Sequence, residues 1–246
     1  MSQDDKHDQI YAEPLAAVAD FRFDETVVKV FPDMINRSVP GYSTLVNLIG
    51  VLALRYVQPG SRVYDLGCSL GASTLAMLHH LQGIECQFVA VDNSAAMIER
   101  ARLLLPTEST DADVALICAD IQDVVIEDAS VVVMNYTLQF LSPDERLAIL
   151  QSIYQGLRAG GILILSEKIQ LPEVEQDERF IELHHQFKKA NGYSDLEVSQ
   201  KRSALERVLI PETIDIHRQR LQQAGFEQVD SWYQCLNFVS LLAQKL

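Results

Sequence analysis

The sequence has no long hydrophobic run. Its apolar stretches, such as residues 114–119, 131–134 and 162–165 of 246, fall far short of the ~20 residues that cross a bilayer, so no membrane association is expected. No stretch with a basic start, an apolar middle and small residues at its end opens the chain, and the expected location is the cytoplasm. Cysteine is scarce. Cys68, Cys86, Cys118 and Cys235 form no C-x-x-C pair, which argues against a thiolate zinc site and leaves reduced core thiols as the expectation. The six histidines include two adjacent pairs, His79–His80 and His184–His185. Neighbours on a helix point about 100° apart, so neither pair makes a two-ligand face, and no metal is expected. Basic residues are in the minority, 20 against 34 acidic, for a net charge of −14. That balance disfavours direct binding to nucleic acid or an anionic membrane.

A chain that is 48% hydrophobic has enough apolar surface for a sizeable core. Short apolar runs alternate with amphipathic stretches, and the runs at 62–66, 87–92, 114–118, 130–135 and 161–167 read as strands covered on both faces. Two more strands are expected near 226–233 and 238–244. Between them lie helices at 94–105, with Met97, Ala101 and Leu104 on one stripe, and at 143–157. The second of these is expected to start with Ser142 and Glu145 as a capping box and Pro143 at its first position. A stripe of Leu147, Leu150, Tyr154 and Leu157 follows, and Gly160–Gly161 stop it. The alternation predicts a doubly wound α/β sheet. Residues 1–22 are expected to be a flexible terminus and 23–246 a single domain, with helical cap segments at about 23–58 and 171–209 over the carboxyl edge of the sheet.

The segment RVYDLGCSLGAS, residues 62–73, ends a strand in an acid, turns on Gly67 and Gly71, and enters a helix. Glycine permits both a sharp turn and a close backbone approach by a ligand. The order G-x-S-x-G is neither the dinucleotide fingerprint G-x-G-x-x-G nor a P-loop. Asp65 just before the turn would repel a pyrophosphate and suits a cationic amino group. Asp92 ends the second strand, where an acid can accept both hydroxyls of a ribose. Asp120 follows the third, placed to accept from an exocyclic amine, and Asn135 ends the fourth. Four successive strands therefore place polar groups on one sheet edge, where ligands bind in this architecture.

The stretches DLGCSLG, VDNS and ADI resemble the S-adenosylmethionine pocket of Rossmann-like class I methyltransferases. That resemblance implies a seven-stranded, mostly parallel sheet with its last strand antiparallel. NYTL, at 135–138, departs from the [ND]-P-P-[YF] motif of enzymes that methylate base amino groups, so a small molecule is the better acceptor. A closer similarity is carried by FPDMINRSVPGYS (31–43), YDLGCSLGA, TLQFL and FKKANGYSDLEVSQKRSALE (187–206), which look like the carboxy-S-adenosyl-L-methionine synthase family. The resemblance implies a transferase that takes S-adenosyl-L-methionine and prephenate and yields carboxy-S-adenosyl-L-methionine, phenylpyruvate and water. Its product would be the donor for carboxymethylation of wobble uridine in tRNA by a separate enzyme.

The resemblance also implies roles for residues. Tyr42 contacts the cofactor. Gly67, Cys68 and Ser69 meet its amino-acid end, Asp92 and Asn93 its ribose, and Asp120 and Ile121 its adenine. Asn135 lies near the reacting centre, and Arg202 receives the new carboxylate from across a homodimer. The sequence pattern itself sets Val198, Arg202, Leu205 and Leu209 on one stripe of a helix that opens with Ser194 and Glu197 in capping-box spacing. A guanidinium there either snorkels to water or meets an anion. The sequence nominates no general base. The competing expectations are an ordinary methyltransferase of a small acid, whose cofactor pocket would be the same, and a noncatalytic cofactor-binding protein, against which the acids at three strand ends argue.

Overall fold

Each apolar run expected to be a strand is one in the computed structural model, which describes residues 7–105 and 114–246. The elements are α1 (Glu25–Ser38), α2 (Tyr42–Tyr56), β1 (Ser61–Leu66), α3 (Ala72–His80), β2 (Cys86–Asp92), α4 (Ala95–Leu104), β3 (Val114–Cys118), β4 (Ala129–Asn135), α5 (Arg146–Gly156), β5 (Leu157–Gln170), α6 (Val174–Ala190), α7 (Asp195–Leu205), β6 (Glu212–Thr213), α8 (Ile214–Ala224), β7 (Gln228–Cys235) and β8 (Phe238–Gln244). The sheet runs β3-β2-β1-β4-β5-β8-β7, with the two-residue β6 beside β5. β1 to β5 are parallel, and β8 is antiparallel to both β5 and β7. This is a Rossmann-like class I methyltransferase architecture. The order of connection reverses at β1, so a crevice opens beyond the carboxyl ends of β1 and β4.

The central strands are largely apolar because alternate side chains enter two cores. Tyr64, Leu66, Val132, Met134, Leu163 and Leu165 face Ile149, Leu150 and Ile153 of α5 and Leu221 of α8. Val63, Val131, Val133, Ile162 and Ile164 face Leu45 and Ile49 of α2 and Met77 of α3. Each such aliphatic side chain contributes about 1.5–3 kcal/mol when fully buried. β3 departs from the expectation of a strand covered on both faces: Ala115 and Cys118 are exposed, because β3 is the end strand of the sheet. Cys118 is accordingly not a core thiol, whereas Cys68 and Cys86 are buried, and all four cysteines are free.

Two helices depart from their expected details. Ser94 does cap α4 through Met97 N, but Leu104 is 42% exposed and Ile98 takes the buried place. α5 begins at Arg146 with no side-chain cap and ends at Gly156. Residues 143–145 form a turn instead, because the Arg146 side chain, not a capping box, satisfies this corner. Arg146 is fully buried and donates to the carbonyls of Gln139, Leu141 and Ile210 and to Glu212. Leu157 is already the first residue of β5, so Gly160–Gly161 lie within a strand and do not stop the helix.

Of the expected cap segments, α1, α6 and α7 supply the cap, whereas α2 packs through Leu45 and Ile49 on the sheet face beside α3. Asn191–Gly192 separate α6 from α7, and Ser194 with Glu197 forms the expected capping box in full. Residues 1–6 of the expected flexible terminus lie outside the described residues. Residues 7–22 form a strap with buried Asp8, Tyr11 and Phe21. Gln200 of α7 holds this strap by donating to the carbonyls of Tyr11 and Glu13 and accepting from Leu15 N.

Candidate active site

At the end of β1 the backbone turns through Gly67 (φ +78°), Ser69 (φ +52°) and Gly71 (φ +82°). A Cβ on Gly67 would collide with the Thr137 side chain, so both the conformation and the space require glycine. The turn is pinned to β2, since Gly67 N and Cys68 N both donate to Val91 O, at 2.8 and 2.9 Å. Asp92, at the end of β2, accepts from Ser69 N and Ser94 N, each at 2.9 Å. Burial pushes its carboxyl up, while these two backbone donors pull it down. Asn93 donates to Asp120 at 2.8 Å, tying the ends of β2 and β3 together.

Asp65 is 2% exposed. One of its oxygens accepts from Thr74 N at 3.0 Å and Thr74 Oγ1 at 2.6 Å, which leaves the other free for a ligand. Burial raises its pKa to about 6 despite those donors. Asn135 donates to Ser73 Oγ at 3.3 Å, and its Oδ1 is buried without a partner among the described residues.

These side chains line one cavity of about 400 Å³. All of the expected cofactor-binding residues reach it: Tyr42, Gly67, Cys68, Ser69, Asp92, Asn93, Asp120, Ile121 and Asn135. Tyr42 opens α2 over Asp65, and burial together with that carboxylate pushes its phenol well up.

Arg202 does not line the cavity, and its expected place in the apolar stripe of α7 is not found. The buried face of α7 is Glu197, Val198, Gln200, Lys201 and Ala204, and Arg202 is exposed. The face turns one residue because Lys201 and Gln200 are drawn inward by the N-terminal strap. Arg202 stays close to the rim, and its charge helps to depress the Lys168 ammonium.

The reading of the sequence missed the basic lining of the same cavity: Lys168 from β5, His184 and Lys188 from α6, and Lys201 from α7. Lys201 is 4% exposed and hydrogen-bonds Asp8 at 3.2 Å and Ser38 Oγ at 2.9 Å. His184 Nε2 donates to Ser38 O at 2.7 Å. Burial, followed by the charges of Lys188 and Lys168, pushes its pKa down to about 2, so the ring is neutral. Tyr136, next to Asn135, adopts φ +62°, and its buried hydroxyl has no partner among the described residues. A signal for Lys168 was present: it lies on the fifth strand, the next in the series that supplied Asp65, Asp92, Asp120 and Asn135.

Residues 63–161 match the family described as a methyltransferase domain. Among curated proteins, the carboxy-S-adenosyl-L-methionine synthase of Trichlorobacter lovleyi is 61% identical over 98% of this chain and 99% of its own length. The protein of the same name from Aliivibrio salmonicida is 56% identical over 97% of this chain and 98% of its own. Among solved structures, human N-acetylserotonin methyltransferase in complex with S-adenosylmethionine superposes with a TM-score of 0.59. That match is 17% identical over 90% of this chain and 55% of the other, a likeness of fold. With near full-length identity of this order, the chain belongs to the carboxy-S-adenosyl-L-methionine synthase family.

Proposed function

We propose that this protein converts S-adenosyl-L-methionine and prephenate to carboxy-S-adenosyl-L-methionine, phenylpyruvate and water. The observation that carries this reading is a single cavity whose lining changes sign, from Asp65, Asp92 and Asp120 at the ends of the first three strands to Lys168 on β5 and Lys188 and Lys201 on the cap helices. A cationic amino acid nucleoside fits the first wall and an anionic co-substrate the second.

Asp92 and Asn93 hold the ribose, Asp120 and Ile121 flank the adenine, and Asp65 with the Gly67–Cys68–Ser69 turn takes the amino-acid end. Tyr42 closes over that end, and Asn135 offers its free oxygen near the reacting centre. The sulfonium of the bound ligand acidifies its methyl group, which is the carbon to be carboxylated. Prephenate aromatises by losing CO₂ and hydroxide. The hydroxide takes a methyl proton and becomes the product water, and the methyl carbon takes the CO₂, so atoms and charge balance. The cap excludes bulk water while CO₂ is free. Arg202, presented by the partner subunit of a homodimer, holds the new carboxylate through a bidentate, charge-assisted contact.

Through its product, the protein supplies the donor for wobble-uridine modification in cytoplasmic tRNA. Its own net charge of −14 suits a role away from the RNA. Mass analysis of reactions with and without prephenate tests the reading. A nucleoside product formed only with prephenate supports it, and transfer of an unmodified methyl group to a small acid replaces it.

A further inference from the structure

Lys168 and Lys188 are cavity ammoniums with no hydrogen bond or ion pair among the described residues. Lys188 sits in the last turn of α6 and is 6% exposed. Lys168 lies near the end of β5, which also carries Ser166 and Glu167. Neither ammonium is hydrogen-bonded or ion-paired among the described residues, whereas Lys201 beside them has both Asp8 and Ser38.

A buried ammonium such as that of Lys188 is costly without an anion, and Lys168 beside it is half-buried with no carboxylate at hydrogen-bonding distance among the described residues. Here the two charges instead repel each other. Burial first, then Lys201 and Lys168, push the Lys188 pKa down to about 7. Lys168 is depressed by burial and by Arg202, with Asp177 in partial opposition. Next to these ammoniums the wall is aromatic. Phe238 stacks edge-on with Tyr136 at 5.7 Å and with His184 at 4.9 Å between centroids, and all three line the cavity.

We infer that Lys168 and Lys188 form the carboxylate-binding subsite for the second substrate, a ring-bearing dianion whose ring packs against Phe238 and Tyr136. The inference rests on the proposed reaction and adds to it the groups that select the co-substrate. Two ammoniums match two carboxylates, and an apolar wall beside them accepts a ring that becomes aromatic. Lys201 is excluded because Asp8 already neutralises it.

The test is calorimetric titration of prephenate into protein saturated with S-adenosylhomocysteine, which has no methyl group to react. Lys168→Gln and Lys188→Gln should each weaken prephenate binding roughly tenfold or more and leave S-adenosylhomocysteine affinity within about twofold. Lys188→Arg should restore most of the loss, because charge is kept. Unchanged prephenate affinity in both Gln variants overturns the subsite, as does equal weakening of both ligands or absence of prephenate binding to the unaltered protein. Product formation is scored separately. Lysine-dependent binding without a carboxylated product upholds the subsite and removes the reaction. Product with an unaltered prephenate KM in both Gln variants does the reverse.

Discussion

The two walls of the cavity hold their charge in opposite ways. On the sheet edge the acids are supported before any ligand arrives: Asp92 by two backbone N–H groups and Asp65 by both donors of Thr74. On the lysine side, Lys168 of β5 and Lys188 of α6 have no such support among the described residues. The edge is a preformed receptor made from strand ends and tight turns. The lysine side is a set of charges whose ionisation depends on what enters. On the proposed reading, one fold provides a rigid site for a nucleoside and a responsive one for an anion.

The difference is sharpened most by Asp92→Ala. Loss of the ribose acceptor should lower S-adenosylmethionine affinity by about 100-fold or more, as expected for two hydrogen bonds to a charged group. Unchanged binding by calorimetry would remove Asp92 from the nucleoside site. Arg202→Ala comes next. It should spare S-adenosylmethionine and weaken carboxy-S-adenosyl-L-methionine by roughly 2–5 kcal/mol, and equal losses for the two ligands would refute its assigned role.

The pH dependence of the edge has a definite sign. Asp65 has a raised pKa of about 6, so ionisation above that pH costs the empty fold, and the ammonium of the ligand offsets the cost. As pH falls through about 6 the carboxyl takes up a proton. S-adenosylmethionine affinity should then decline, approaching tenfold per pH unit. Thr74→Val removes the hydroxyl donor to Asp65 and should move the midpoint upward. A flat affinity between pH 5 and pH 8, spanning the ~1.4 kcal/mol per unit that linkage allows, would show that Asp65 does not meet the amino group.

The smallest effect belongs to the cap. Lys188 faces Lys201 from α7, Lys168 from β5, and His184 and His185 on its own helix, and its pKa lies at about 7. An arriving carboxylate favours the charged form, so binding of prephenate at about pH 8 should take up close to one proton. Calorimetry in buffers of different ionisation enthalpy reads this uptake, and Lys188→Arg should abolish it. Uptake that persists in that variant assigns the proton to another group.

The edge was legible in the sequence and the cap was not, for physical reasons. Strand ends are local. An apolar run that stops at Asp65, Asp92 or Asn135 states where the side chain sits once the sheet is parallel. Gly67 and Gly71 announce a turn with positive φ, and both have it. The orientation of a cap helix depends on what it packs against. Periodicity set Arg202 on the apolar stripe of α7, yet contacts with the N-terminal strap turned Lys201 and Gln200 inward and left Arg202 exposed. No local rule announces those contacts, because Asp8 and Lys201 are 193 residues apart. The absent cap on α5 has a related origin, since Arg146 is buried against the Gln139 and Leu141 carbonyls just before it and against Ile210 and Glu212, 64 and 66 residues on.

The central claim is that one cavity joins a nucleoside-binding acid edge to an anion-binding lysine side, so that CO₂ moves from one ligand to the other. It is tested most directly by the mass of the nucleoside recovered from purified protein with S-adenosylmethionine, with and without prephenate. The account predicts a species heavier than S-adenosylmethionine by one CO₂, about 44 Da, formed only when prephenate is present. Recovery of unchanged S-adenosylmethionine, or of S-adenosylhomocysteine with a methylated acid, would contradict it.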